Sequence, residues 1–189
     1  TPAFLALYGL DPALYDPYSV ATQHNLKSKV RLEGGDFNYK QALTFLPDWA
    51  RGIQVFGNVS RQRVTGAAAD FFSGYQPKGA NWGVSLTRAR YNLRVNFNDQ
   101  GQRRQGPVTA TGTDRIGPAI YTWRDDRLYI DVLGELSLHR HLAFFFNLRN
   151  VNDGTEDNEI AGPSTPPHAQ FRQREDFGSL WTVGFKGAF

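Results

Sequence analysis

The chain has 189 residues, and 21 Lys and Arg against 18 Asp and Glu give it a formal net charge of +3. So small an excess of positive charge does not indicate a nucleic-acid partner. The absence of Cys excludes disulfides and a thiol nucleophile. The sequence contains no apolar run of about 18 residues, so a transmembrane helix is excluded as well. These observations leave open a membrane β-barrel, because alternating apolar and polar residues average to a hydrophilic chain.

Residues 1–28 contain two Asp-Pro pairs, Asp11-Pro12 and Asp16-Pro17, which favour turns. This segment predicts an external loop that leads into the first strand. The chain starts with neither an initiator Met nor a signal peptide. We therefore expect that a further part of the polypeptide precedes Thr1.

Seven strands are predicted after residue 28, because apolar and polar residues alternate there and helical periodicity is almost absent. The first strand covers roughly residues 29–45 and changes phase at Gly34-Gly35, where we expect a β-bulge. The next three strands place on one face Ile53, Val55 and Val59, then Trp82, Val84 and Leu86, then Leu93, Val95 and Phe97. The last three strands place on the corresponding face Leu128, Ile130, Val132 and Leu136, then Leu142, Phe144, Phe146 and Leu148, then Trp181, Val183, Phe185 and Phe189.

The connections between these strands alternate in length. Short turns are predicted at residues 46–52, 88–91 and 139–141, and long polar loops at residues 65–80, 99–118 and 150–177. Short turns at one end and long loops at the other are typical of transmembrane β-barrels, whereas loops in compact soluble domains are mostly about 4–6 residues long. Aromatic residues that would form interfacial girdles are Phe45, Trp49, Trp82, Tyr91, Trp181 and Phe189.

The pattern therefore predicts an all-β, antiparallel up-and-down transmembrane β-barrel segment, with the apolar face of residues 128–189 toward lipid. A soluble β-sandwich or lipocalin-like barrel is the alternative, in which the same face forms a core. Bacterial single-chain barrels have an even number of strands, and an open sheet edge is costly in hydrocarbon. We therefore expect residues 29–189 to be the C-terminal part of a larger barrel.

Three motifs resemble a known family: the terminal strand at residues 178–189, the segment 145–153 with its Asn-rich exit, and the hairpin at residues 39–58 with Pro47 and Gly52 in its turn. In these motifs the chain resembles the C-terminal portion of a TonB-dependent outer-membrane receptor. Gly187 departs from the family's terminal strand, where a large apolar residue is usual. No plug domain and no TonB box can be matched to any segment.

The resemblance implies a 22-stranded barrel in the outer membrane of a Gram-negative cell. It implies TonB-coupled import of a scarce nutrient of siderophore, vitamin or oligosaccharide type. Implied partners are outer-membrane lipids and lipopolysaccharide, the TonB energy-transducing complex through an N-terminal region, the barrel assembly machinery through the terminal strand, and a small-molecule ligand. The short turns and Phe189 would then face the periplasm, and the long loops would face outside. A passive porin, an outer-membrane enzyme and a soluble ligand-binding barrel are the other hypotheses.

Arg103, Arg104 and Arg115 form the candidate ligand site, with Tyr121 and Trp123 nearby in sequence. Guanidinium groups bind carboxylates and phosphates through paired hydrogen bonds, which favours an anionic ligand. Contact with lipopolysaccharide phosphates is the alternative. The aromatic residues could stack on a ligand or pack the loops together.

No catalytic constellation is found in the sequence, so we expect neither an enzyme nor a cofactor. His139 and His141 lack a third metal ligand and predict only a polar turn. Asp131 and Glu135 lie four residues apart on one strand, about 13 Å, which is too far for a glycosidase pair and predicts charge that lines the lumen. The remaining acidic residues predict a solvated loop without Ca²⁺, at Asp153, Glu156, Asp157 and Glu159.

Overall fold

The computed structural model describes residues 2–15, 25, 28–69, 72–108 and 119–187. Two short helices, α1 (Pro2–Leu7) and α2 (Pro12–Tyr15), precede the strands. The strands in chain order are β1 (Arg31–Ala42), β2 (Ile53–Thr65), β3 (Lys78–Thr87), β4 (Tyr91–Gln100), β5 (Arg103–Pro107), β6 (Tyr121–Arg124), β7 (Arg127–His139), β8 (Leu142–Arg149), β9 (Glu156–Ala161), β10 (Phe171–Glu175) and β11 (Leu180–Gly187). Among these residues no helix has the length and apolarity to cross a membrane.

Helices α1 and α2 lie in the segment predicted as a plain loop, and the prediction missed them. Asp11 caps α2, since its Oδ1 accepts a hydrogen bond from the backbone N–H of Ala13 at 2.9 Å. Proline at the first helical position suits both helices, because its missing N–H has no helical partner there. The segments 16–24 and 26–27 lie outside the described residues.

The main sheet contains the seven predicted strands, in the order β1-β2-β3-β4-β7-β8-β11, and every neighbouring pair is antiparallel. The all-β class is therefore confirmed, and the seven predicted strands form this sheet, although the described residues contain eleven strands in all. The sheet is open, with β1 and β11 at its two edges. No closed barrel is seen in the described part of the chain.

The expected bulge at Gly34-Gly35 is wrong. Leu32 pairs with Val64, and the β1–β2 register continues without a break to Asp36 opposite Ser60. Glycine at position 34 is explained by close backbone packing instead, because a Cβ at Gly34 would lie 2.7 Å from the carbonyl oxygen of Arg61. The phase change in sequence arises because Leu32 lies on the polar face of the sheet.

The register aligns the apolar side chains of all seven strands on one face. One row of paired residues crosses the whole sheet, from β1 to β11: Gln41, Val55, Val84, Val95, Val132, Leu148 and Trp181. Glycine makes room for large rings on this face, since a Cβ at Gly134 would lie 2.3 Å from the ring of Phe146. Trp82 stacks on Phe97 at 5.4 Å in the body of this face, so it does not sit at a strand end as expected of a girdle residue.

The exit of β8 explains the Asn-rich motif. Asn150 has a positive φ of 53°, and its side chain donates to the carbonyls of Gly154 and Gly178 at 3.1 and 2.9 Å. The Asn152 side chain accepts from the Ile130 N–H and donates to the Leu128 carbonyl, as a strand residue would. The Asn152 amide therefore satisfies backbone groups of β7 beyond the end of β8, and the Asn150 amide satisfies carbonyls on either side of the long connection that follows.

The other four strands form a second antiparallel sheet, in the order β10-β9-β6-β5. β5, β9 and β10 come from segments predicted as long polar loops at 99–118 and 150–177, so that prediction is wrong for these residues, and β6 follows the first of these segments. Backbone pairing, rather than an apolar face, organises these segments. The pairing of β6 with β9 links the two loops directly, with Tyr121 opposite Ala161.

A conventional hydrophobic core is almost absent from the described residues. The buried hydrophobic residues are Leu5, Ala50, Ala68 and Ala143. Large side chains of the apolar face stay exposed at the β11 edge, where Trp181 is 70% and Phe185 67% exposed. The main sheet is therefore a single layer whose apolar face no described element covers.

Candidate functional site

The four-stranded sheet brings together four of the five predicted ligand residues. Arg103 on β5 lies opposite Arg124 on β6, and Arg104 lies opposite Trp123. Tyr121 is on the same β6 strand. Arg115 lies outside the described residues.

A buried carboxylate organises the arginines in this region. Glu156, at the start of β9, is 3% exposed and lies between Arg124 and Arg127. Its Oε1 is 2.6 Å from Arg124 Nε, although the two groups are not aligned as a hydrogen bond, and its Oε2 contacts Arg127 Nη1. A buried charge requires such partners, because its removal from water is otherwise costly. The prediction that Glu156 belongs to a solvated acidic loop is therefore wrong.

Arg103 adds a third guanidinium to this cluster. Burial lowers the pKa of Arg103, and the positive charges of Arg124 and Arg127 lower it further. The buried Nε of Arg103 has no hydrogen-bond partner among the described residues. Glu156 contacts two of these three guanidinium groups, and Arg103 forms no ion pair among the described residues, so the charge of Arg103 can attract an anion.

Arg104 ties a neighbouring loop to the second sheet. Its Nη2 donates to the carbonyls of Ala69 and Phe72 at 2.7 and 3.2 Å, and its guanidinium lies 4.6 Å from the ring centre of Tyr121. Trp123 donates from its indole N–H to the Ala161 carbonyl at 3.3 Å. In this structure Arg104, Tyr121 and Trp123 hold the loops together, which is the packing role that the sequence left open for the aromatic residues.

The other acidic residues of the sheet do not converge. Arg174 donates two hydrogen bonds to the Asp157 carboxylate at 2.7 and 2.6 Å, and this holds the Asp157 pKa below its usual value. Burial raises the pKa of Glu159, and the nearby charges of Asp125 and Asp157 raise it further. Among the described residues no group of three or more metal-ligating side chains is found.

The remaining candidates of the sequence lie on the main sheet. The rings of His139 and His141 are 5.9 Å apart across the β7–β8 turn. Asp131 accepts a hydrogen bond from the backbone N–H of Asn150 at 2.9 Å, and Glu135 forms an ion pair with Lys186 at 2.5 Å. Each of these two carboxylates thus has a partner of its own on the main sheet.

The polar face of the main sheet holds a hollow that the sequence did not single out. It has a volume of about 470 Å³ and is lined by residues that include Arg94, Glu135, Asn147 and Lys186. Arg94 lies 4.4 Å over the ring of Phe56, the one large aromatic residue that broke the alternation in β2. The sequence signal for this hollow was the polar residues at even-numbered positions of β4 and β11. These residues line one hollow only because of the register across β7 and β8, which the sequence does not show.

The predicted lipid-facing residues share the apolar face of β7, β8 and β11 wherever they are described: Leu128, Ile130, Val132, Leu142, Phe144, Phe146, Leu148, Trp181, Val183 and Phe185. Phe189 lies outside the described residues.

Comparison of the chain with protein-family models, with curated proteins and with solved structures finds no match. The fold thus defines an all-β protein built on an open antiparallel meander, and function must be inferred from its two faces and its charged cluster.

Proposed function

We propose that the main sheet is part of the wall of a transmembrane β-barrel in a Gram-negative outer membrane. The observation that carries this proposal is the uncovered apolar face, which continues across all seven strands. At its β11 edge Trp181, Val183 and Phe185 are each at least 65% exposed. Contiguous exposed apolar surface of this extent marks a contact with lipid or with another protein.

The opposite face supports an aqueous lumen rather than a second packed layer. Asn58 donates to Asn38 at 2.6 Å across β1 and β2, and Lys186 pairs with Glu135 across β8. These groups satisfy one another or remain open to water, as residues that line a polar barrel interior do. A second layer packed on this face would instead require apolar side chains here.

The direction of the edge strands supports a larger barrel. Because the sheet has seven antiparallel strands, β1 and β11 run in the same direction. Closure with only antiparallel neighbours therefore requires an odd number of additional strands. A transporter barrel of about 22 strands meets this condition, because about fifteen further strands would complete it. Unpaired edge groups in hydrocarbon would cost several kcal/mol each, roughly, so closure is required in a membrane.

The transported substrate in this proposal is a scarce anionic nutrient, imported through TonB-coupled active transport. The support for an anion is the Arg103, Arg124 and Arg127 cluster, in which the Glu156 carboxylate contacts only two of the three guanidinium groups. The support for a receptor of this type is the resemblance of the terminal strand and the β8 exit. The long connections that carry the cluster would then lie outside the cell.

Single-tryptophan variants reconstituted in vesicles with brominated acyl chains test the membrane assignment. Bromine quenches indole fluorescence only at close range, so we expect strong quenching for Trp82 or Trp181 alone and little for Trp123 alone. Trp123 is the matched control because it lies in the four-stranded sheet. Equal quenching of all three, or a chain that stays monomeric without detergent, would contradict the proposal and favour a soluble barrel.

The import arm uses the whole protein in cells. Uptake of a carboxylate-bearing chelate should stop when TonB is removed and should weaken in Arg103→Gln. Uptake that continues without TonB and falls with the size of the solute would instead identify a passive porin.

A further inference from the structure

A second basic cluster lies on the apolar face, at the end of the main sheet next to the long β2–β3 connection. Arg61 on β2 lies directly opposite Lys78 on β3, and Arg63 follows two residues later on the same face. All three side chains are exposed. We name Arg61, Arg63 and Lys78 the rim cluster. On the proposed function it would lie at the outer boundary of the lipid-facing surface.

The rim cluster begins where the apolar rows end. Phe37, Val59 and Ala80 form one row of paired residues across β1, β2 and β3. The next row outward on the same face holds Gly35, Arg61 and Lys78. Two residues along a strand span about 7 Å, so the guanidinium and ammonium groups lie within one side-chain length of the last apolar row.

The placement of like charges indicates a missing anion. Residues directly opposite on neighbouring strands have Cβ atoms about 5 Å apart, and like charges in such a pair destabilise a sheet. Arg63 lies directly opposite Glu33, whose carboxylate pairs with Arg31 at 3.4 Å, and no described carboxylate forms an ion pair with Arg61 or Lys78. An anion between the two strands would remove the repulsion.

The surface beside the cluster is concave. A hollow of about 610 Å³ is lined by the three basic residues together with Val59, Tyr75 and Asp99, among others. Asp99 is the one acidic side chain in this lining, so the positive charge dominates. Apolar Val59, 52% exposed, borders the cations on the side of the sheet centre.

We propose that the rim cluster binds the phosphate groups of a membrane lipid head group, with the acyl chains of that lipid on the apolar rows below. Guanidinium and ammonium groups form short, charge-assisted hydrogen bonds with phosphate. A free phosphate ion would use the cations alone, whereas the adjoining apolar rows of Phe37 and Val59 provide a surface for the attached chains. This inference rests on the proposed membrane location but concerns a different site from the Arg103 cluster.

The test compares two variants that lose the same charge, in the protein purified in detergent and exchanged into lipid. The rim variant carries Arg61→Gln, Arg63→Gln and Lys78→Gln. The control variant carries Arg51→Gln, Arg90→Gln and Arg140→Gln, which remove three exposed cations at the short turns of the opposite end. Binding of diphosphoryl lipid A is measured by native mass spectrometry, with dephosphorylated lipid A and inorganic phosphate as the other probes.

We expect the rim variant to bind diphosphoryl lipid A about a hundredfold more weakly, since each cation beside an anionic lipid surface contributes about fivefold. The control variant should bind as the native chain does, and dephosphorylated lipid A should bind weakly to both. Equal losses in the two variants, or inorganic phosphate that binds as tightly as lipid A, would overturn the lipid assignment. A native chain that inserts into phosphatidylcholine vesicles without preferring lipid A also overturns it, whereas a chain that does not insert at all overturns the proposed function.

Discussion

The main sheet and the four-stranded sheet are each stabilised by a different kind of interaction. In the main sheet, one face is apolar across seven strands and its charged residues are confined to the other face or to the ends. In the four-stranded sheet, the conspicuous contacts are ionic: Glu156 with Arg124 of the same sheet and with Arg127 at the start of β7, and Asp157 with Arg174. The main sheet therefore depends on what covers its apolar face, and the smaller sheet depends on ion pairs, one of which is formed with Arg127 of the main sheet.

This difference suits the two environments that we propose. Hydrocarbon stabilises an apolar face and requires that every backbone group be paired, which the ladder of the main sheet achieves in its interior. Outside the membrane, hydrogen-bonded and charged groups can hold a loop sheet and also contact a polar ligand. The predictions below test this division, beginning with the largest expected effect.

Glu156→Gln should destabilise the four-stranded sheet by about 3–5 kcal/mol, because it leaves guanidinium groups without their buried counter-charge. Hydrogen exchange measured by mass spectrometry should show faster exchange in β6 and β9 and no change in β1 and β2. Glu33→Gln is the control, since Glu33 forms only an exposed ion pair with Arg31 and surface pairs contribute about 0–1 kcal/mol. Faster exchange throughout the main sheet would show that the two sheets are not separate.

Val95→Arg should destabilise the protein in lipid vesicles by about 2–4 kcal/mol, the cost of an arginine on the lipid face near the bilayer centre. Val95 lies in the row that crosses all seven strands, and Asn96 is its neighbour on the polar face. Asn96→Arg is therefore a matched control with an expected effect within about 0.5 kcal/mol. Urea unfolding in vesicles measures the free energy of unfolding of both variants. A larger loss in Asn96→Arg than in Val95→Arg would show that the lipid-facing and polar faces are assigned wrongly.

The main sheet was predictable from sequence because strict alternation records which face each residue occupies. Trp181 to Phe185 carry this signal in full, and Leu142 to Leu148 carry it at every position except Phe145. The wrong expectation of a bulge at Gly34-Gly35 arose because Leu32 is an apolar residue on the polar face. Alternation assumes that every large apolar side chain faces the same way, and Leu32 and Phe56 do not.

The four-stranded sheet could not be predicted in this way. Its strands, such as β5 with Arg-Arg-Gln-Gly-Pro and β10 with Phe-Arg-Gln-Arg-Glu, have no apolar face whose period could be measured. Their pairing depends on contacts between distant segments, as between Trp123 and Glu159. The burial of Glu156 likewise depends on arginines about 30 residues away, near the start of β7, so its charge alone suggested a solvated loop.

The smallest expected effects come from two carboxylates of the four-stranded sheet whose pKa values shift in opposite directions. The Asp157 pKa is lowered by hydrogen bonds from Arg174, so the ionised form stabilises the fold. That contribution is complete above the unfolded pKa of about 3.9 and is lost as the pH falls through the lower folded pKa. Asp157→Asn should therefore slightly destabilise the sheet at neutral pH and have no effect in strong acid.

Glu159 should behave in the opposite way. Burial, Asp125 and Asp157 raise its pKa, so the ionised carboxylate opposes folding above the folded pKa and contributes nothing below the unfolded pKa of about 4.3. Glu159→Gln should thus slightly stabilise the sheet at neutral pH, and hydrogen exchange in β9 followed from neutral to acid pH should show the two variants on opposite sides of the native protein. Their curves should converge on the native curve as the pH falls. If both variants shift in the same direction at neutral pH, specific pairing of these carboxylates does not hold the smaller sheet, and its stability has to come from backbone pairing alone.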